Sequence, residues 1–162
     1  MQEGKTTILS VSDNLSFKVK QEYLKLYFGV GDFQPATIPR KRPWTIVGQP
    51  NDLPEGWVIW SPNLFANSSG YLNEISSDGT IITETVSKDT VDYFLSEDPK
   101  SSRFHATRVV FAKAKGDGWR FRGVFVPDYK NFTADTHAFR RVATIIKVTQ
   151  GPEPVIELID KK

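Results

Sequence analysis

The sequence runs to 162 residues, 39% hydrophobic and 12% aromatic, with a formal charge of +2. A chain of this size and composition can bury a core and does not belong to the disordered class. It has no cysteine and only two histidines, His105 and His137, which excludes a disulfide scaffold, a cysteine zinc site or nucleophile, and a histidine-rich metal centre.

In chain order, Thr6 to Val11 reads as a short strand, and Ser16 to Phe28 as a helix with Gly29 as its stop. Gly29 to Pro43 is a Pro/Gly loop holding the basic cluster Arg40-Lys41-Arg42, and Trp44 to Gly48 and Trp57 to Trp60 are short strands. Ser61 to Gly70 is a polar loop. Tyr71 to Ile75 and Thr80 to Val86 form a hairpin across Ser77-Asp78-Gly79, followed by a helix from Asp89 to Ser96 capped by Ser87 or Asp89. A longer hairpin follows, then a loop from Pro127 to Thr136, one strand from Ala138 to Thr149, and a last one from Pro154 to Ile159. No repeat or linker interrupts the chain, so residues 1–162 read as one domain, with 1–43 an N-terminal strand, helix and basic loop and 44–162 a β-rich core. The fold class is α+β and β-rich, with about seven strands and two or three helices. Short, numerous strands favour a strongly curved mixed sheet or a partly open barrel over a flat sheet.

The long hairpin is the most informative segment. Its two strands meet at Lys115-Gly116-Asp117-Gly118, whose residues tolerate positive φ. Alternation places Trp119, Phe121, Gly123 and Phe125 on one buried face and Arg120, Arg122, Val124 and Val126 on the other. Two arginines on a rigid strand suit recognition of phosphates or bases better than catalysis. Charge is unevenly spread: Ile59 to Lys100 sums to −5 and Ser101 to Gln150 to +7. A basic segment built of strands implies a polyanion partner, read here as nucleic acid, with DNA favoured over RNA. The expected phosphate contacts are Arg108, Lys113, Arg120, Arg122 and Arg140.

Hydrolase and nucleotide motifs are missing: there is no G-x-S-x-G, no P-loop and no dinucleotide fingerprint. No cofactor, resident metal or catalytic residue is expected. One fragment, Asp128-Tyr129-Lys130, offers the Asp-x-Lys of a Mg²⁺-dependent nuclease and defines an alternative reading; an accessory protein-interaction domain is the other. His105 and His137 read as surface or interface residues. Trp60-Ser61-Pro62-Asn63 sets an aromatic plane beside a hydroxyl and an amide, a combination that stacks on a base and reads its edge. Trp57 and Trp60 face opposite sides of their strand, one to the core and one to a pocket. No window has transmembrane length and the N-terminus lacks an apolar leader, so the expectation is a cytoplasmic protein without membrane contact.

Trp119-Arg-Phe-Arg-Gly-Val-Phe-Val, followed by Phe139-Arg-Arg-Val-Ala, resembles the corresponding strands of PUA-like modules. These include the SRA-like and EVE/YTH-like readers attached to modification-dependent restriction endonucleases. The resemblance implies a curved sheet that holds an extruded, modified base in an aromatic cage, with basic strands gripping phosphates. It places the base pocket at Trp44, Trp60, Ser61, Asn63 and Tyr71. It also implies a host-defence role and a separate nuclease module or subunit as partner, because the chain has no recognisable nuclease module of its own.

Overall fold

The computed structural model describes residues 5–28, 57–65, 72–96, 105–150 and 155–160. Its strands are, in chain order, Thr6–Ser10 (β1), Trp57–Trp60 (β2), Leu72–Ile75 (β3), Ile81–Thr85 (β4), Thr107–Lys113 (β5), Trp119–Pro127 (β6), Thr136–Ala143 (β7), Ile145–Thr149 (β8) and Val155–Leu158 (β9). Two helices, Lys20–Phe28 (α1) and Lys88–Ser96 (α2), and two 3-10 turns, Val11–Asp13 and Tyr129–Asn131, complete the described elements. The strand expected at Trp44 to Gly48 lies outside the described residues.

The β-rich α+β class expected from the sequence is the one observed. A six-stranded sheet has the order β2-β5-β6-β7-β4-β3, and a three-stranded sheet the order β1-β8-β9. The larger sheet is mixed, since β2 runs parallel to β5 while the other pairs are antiparallel. Neither sheet closes on itself.

Instead of one strand from Ala138 to Thr149, the chain forms two, β7 in the larger sheet and β8 in the smaller. The break falls at Thr144, where Asp160 acts as a clasp. Its Oδ1 accepts from the backbone N–H groups of Thr144 (2.9 Å) and Ile145 (2.6 Å), and its other oxygen accepts from the Thr144 hydroxyl. A strand that changes sheets is one way to turn the corner between them. The first helix starts later than the apolar spacing suggests. Phe17 instead exchanges backbone hydrogen bonds with Trp119 (2.9 and 2.7 Å), continuing the sheet. Gly118 is needed for that approach, because a Cβ there would sit 2.2 Å from Ser16 Oγ and 2.6 Å from Phe17 O.

Two bulges reset the side-chain alternation of the central strands. Val110 pairs with Gly123 and Phe111 with Phe121, so Arg122 has no cross-strand partner on β5. On β7, Val142 is skipped in the same way, between the pairs Val124–Ala143 and Phe125–Arg141. A single extra residue shifts everything beyond it to the opposite face. Trp119 and Phe121 therefore belong to one core, while Phe125 belongs to the other. The expected arrangement, with all four of Trp119, Phe121, Gly123 and Phe125 on one side, does not hold. Gly123 adopts φ +115°, and a Cβ on it would lie 2.6 Å from Ala143 O and 2.7 Å from the Arg141 stem.

The six-stranded sheet thus has two covered faces. One packs on α1 and the smaller sheet, through Tyr23, Phe111, Trp119, Val124, Ile146 and Val148. Tyr23 of α1 stacks on Phe111 with centroids 4.0 Å apart. The second face packs under α2, through Trp60, Ile82, Phe94, Val110, Phe125 and Phe139. Ser87 caps α2 as expected, its Oγ accepting from Thr90 N–H at 3.1 Å.

Candidate functional site

Side chains that alternate along strands line up across them when the register is fixed. Asn73 on β3 pairs with Glu84 on β4, and Glu84 pairs with His137 on β7. The three form one row on the face under α2, next to the row of Ile75, Ile82 and Phe139. Asn73 is 6% exposed and His137 3%, although both are polar. Glu84 accepts from His137 Nδ1 at 3.0 Å and is the more open of that pair, with its side chain 21% exposed. With Nδ1 donating to the carboxylate, Nε2 is the ring's second polar atom. That Nε2 and Asn73 Oδ1 are buried without hydrogen-bond partners. Two orphaned polar atoms in one row are unusual in a native fold.

Arg108 is the largest fully buried side chain in the described structure. It projects from β5 between two rings, its guanidinium carbon 4.3 Å from the Phe139 centroid and 5.0 Å from that of Trp60. Nε donates to Ala106 O at 3.3 Å. Burial pushes its pKa down to about 10, against the opposing pull of the Glu84 carboxylate and the Tyr129 phenol. Aromatic rings close the rest. Phe94 of α2 lies 4.6 Å from the His137 ring and 5.2 Å from Phe132. His105 Nε2 donates to Phe94 O at 2.8 Å, and its Nδ1 shares a hydrogen bond with Tyr129 Oη at 2.6 Å. The face therefore combines a guanidinium, a carboxylate, an imidazole and an amide with aromatic walls. Such a set recognises a planar polar ring by stacking and edge hydrogen bonds.

The residues singled out from the sequence divide between the two faces. Trp60 faces Arg108 and Phe139 but is only 5% exposed, so it is a wall of this site rather than an open platform. Ser61, its neighbour, points the other way and shares a hydrogen bond with Tyr23 Oη beneath α1. Strand alternation separates the ring from the hydroxyl that the sequence places beside it. Asn63 continues along β5, bridging to Lys113, and is half-buried. Trp44 and Tyr71 lie outside the described residues.

Among the expected phosphate contacts, Arg140 is exposed on β7 and Lys113 half-buried at the end of β5. Arg108 is 2% exposed and belongs to the buried face. Arg120 is occupied: it bonds Asp117 at 2.5 Å and donates to the Asn14 carbonyl and side chain at 2.8 and 2.6 Å. Arg122 sits on the β6 bulge, half-buried, with its Nε lacking an acceptor. Arg141, next to Arg140 on β7, is half-buried, its stem crossing Gly123, and its Nε also has no acceptor.

Asp128 is 6% exposed and accepts from Asn131 Nδ2 at 2.6 Å, closing the turn before β7. Lys130 is exposed. Among the described residues, no group of three or more acidic or histidine side chains is placed to hold a metal ion. No described helix is long and apolar enough to cross a membrane. His137, read from the sequence as a surface or interface residue, is instead buried in the site. What could have revealed it is its position on the same strand face as Phe139, opposite Glu84, once the pairing of β4 with β7 is known.

Comparison with known proteins agrees with this architecture. The family model for the SET and RING associated domain matches residues 4–148. Among solved structures, one titled the 5-hydroxymethylcytosine-specific restriction enzyme AbaSI superposes with a TM-score of 0.60 at 22% sequence identity. The match covers 90% of this chain and 43% of that one, so this chain spans less than half of the enzyme's length. No curated protein matches.

Proposed function

This chain belongs to the SET and RING associated (SRA) family, and from that premise we propose that it is a DNA-binding module that reads a modified base. The observation that carries the reading is the family match across residues 4–148. The row Asn73–Glu84–His137 supports it, because it offers unsatisfied polar atoms beside aromatic walls. A base must leave the duplex to have its edge read this way, and turning it out costs a few kcal/mol that stacking and hydrogen bonds offset.

Modified cytosine is the substrate class we favour, 5-hydroxymethylcytosine first, since the structural neighbour is named for that base. Cytosine presents an exocyclic amino donor. In this reading Asn73 Oδ1 accepts it, and His137 Nε2 meets the hydroxyl of a hydroxymethyl group. Trp60 and Phe139 supply the apolar walls, with Arg108 held between them. Arg140, Arg141 and Lys113 are the cations we assign to phosphates. DNA cleavage, in this reading, belongs to a nuclease module elsewhere in the same chain or in a partner subunit.

The test is fluorescence anisotropy with duplexes of one sequence carrying cytosine, 5-methylcytosine or 5-hydroxymethylcytosine at a single site. A reporter base beside the site follows extrusion. We expect a preference of at least about tenfold for one modified base, equivalent to roughly 1.4 kcal/mol. Asn73→Ala should erase the preference and leave salt-dependent background binding in place. Equal affinity for all three duplexes would overturn base reading, and no affinity for any of them would overturn DNA binding.

A further inference from the structure

We propose that α2 is a gate over the base site: in the unbound protein the Phe94 ring fills the place of the extruded base, and the C-terminal end of the helix swings outward to admit it. The inference rests on the base-reading assignment above and concerns how that site opens. His137 Nε2 and Asn73 Oδ1 are closed to solvent and have no hydrogen-bond partner. A base edge reaches them only after a covering side chain moves away. Among the described residues, three phenylalanine rings lie against the His137 ring, with centroids at 4.6 Å (Phe94), 5.4 Å (Phe132) and 6.4 Å (Phe139).

The three rings differ in how firmly they are held. Phe139 belongs to β7, which is paired with β4 on one side and β6 on the other. Phe132 is fixed by its turn, where its N–H donates to Tyr129 O at 3.1 Å and the next residue, Thr133, donates to Thr136 O at 3.0 Å. Phe94 stands on a helix of nine residues that buries only two side chains, Val91 and Phe94 itself. An element with so few buried apolar contacts lies at the low end of local stability, the end from which lids are drawn. The ends of α2 are also unequal. Its N-terminus follows β4 directly, with Val86 N–H donating to Asp135 O at 2.7 Å and Ser87 capping the first turn. In its last turn the carbonyls run out of intrahelical donors. There His105 Nε2 donates to Phe94 O at 2.8 Å, while Nδ1 shares a hydrogen bond with Tyr129 Oη at 2.6 Å. His105 is thus the latch, and the Ser87 end the hinge.

The exchange is ring for ring. Phenylalanine carries one six-membered ring, as a pyrimidine does, so the vacated space suits an extruded pyrimidine better than a purine. The rings of His105 and Phe132, now 4.6 and 5.2 Å from Phe94, are left to flank the base. While the gate is shut, the apparent affinity for the base is reduced to the fraction of molecules that are open. Loosening the latch raises that fraction and therefore the affinity.

The experiment measures the distance between spin labels on two introduced cysteines in the full chain, Leu95→Cys on α2 and Ile8→Cys on β1. Both positions are about half exposed, and the sequence has no other cysteine. The probes are the three duplexes carrying cytosine, 5-methylcytosine or 5-hydroxymethylcytosine at one site. We expect the distance to change by at least about 4.5 Å, one ring spacing, on saturation with the preferred modified duplex, and to stay fixed with the unmodified one. His105→Phe keeps a ring in place and removes the latch. It should bind the preferred duplex at least about threefold more tightly, with the affinity for unmodified duplex unchanged. The label measurement leaves His105 in place, so it decides the matter even where that variant does not fold. A preferred duplex bound at an unchanged label distance would overturn the gate and leave base reading standing. So would equal or weaker binding of that duplex by folded His105→Phe. Equal affinity for all three duplexes would overturn base reading, and the gate with it.

Discussion

The two faces of the central sheet are built to different standards. Beneath α1 the core is built mainly of stacked rings and aliphatic side chains. Tyr23 stacks on Phe111, its hydroxyl meets Ser61, and burial raises the phenol's pKa so that it stays neutral. Beneath α2 the same sheet buries a guanidinium, a half-open carboxylate, an imidazole and an amide, and leaves two of their atoms unpaired. Burying charge and orphaned polar groups lowers stability. The face beneath α2 thus carries the more polar core, and the face beneath α1 the more extensive aromatic stacking.

The comparison breaks most readily on the side beneath α1. Phe111→Ala should cost about 3–5 kcal/mol, because it removes the ring on which both Tyr23 and Tyr27 stack. Chemical denaturation measures this. In the fraction still folded, the ratio of affinities for modified and unmodified duplexes should match the parent. A selective loss of that ratio would mean that the two faces are coupled.

On the polar face the expected pattern is reversed. Asn73→Leu removes an unsatisfied buried carbonyl, so stability should stay within about 1 kcal/mol of the parent or rise. Base discrimination should fall about tenfold or more. A variant that loses several kcal/mol while keeping its discrimination would make Asn73 a structural residue and dissolve the contrast.

The smallest effect concerns the hairpin tip. Hydrogen bonds from Arg120, then from Gly118 N–H, hold the Asp117 carboxyl at about 2, below its ordinary 3.8. A depressed acid binds fewer protons when folded than when unfolded, so its contribution is present above the ordinary value and lost as pH falls through the folded one. Asp78, also held at about 2 by Ser76 and Thr80, acts in the same window. Subtracting the stability profile of Asp117→Asn from that of the parent isolates Asp117. The difference should shrink between about pH 4 and pH 2. A flat difference would show that the contact with Arg120 adds nothing in solution, leaving that guanidinium free for other partners.

Much of the architecture was readable locally. The hairpins at Asp78-Gly79 and Gly116-Asp117-Gly118, the Ser87 cap and the strand at Trp57–Trp60 all follow from turn chemistry and alternation, which act over a few residues. The division of β7 from β8 was not, because the clasp that causes it, Asp160, lies 16 residues from Thr144. Pairing Trp60 with Ser61 in one pocket failed for a simpler reason: adjacent strand residues point to opposite faces. The site row was invisible because Asn73, Glu84 and His137 come from three strands and share no spacing.

By itself, then, the amino-acid order determined the class of fold, the main turns, the basic second half and the resemblance to base-reading modules, all properties of short windows or of summed composition. Tertiary structure decided which side chains meet. A bulge of one residue moved Phe125 away from Phe121 and released Arg122 from the ladder, and strand register brought Glu84 to His137. Register and bulges are settled by packing across the whole sheet, where a slip of one residue exchanges the two faces.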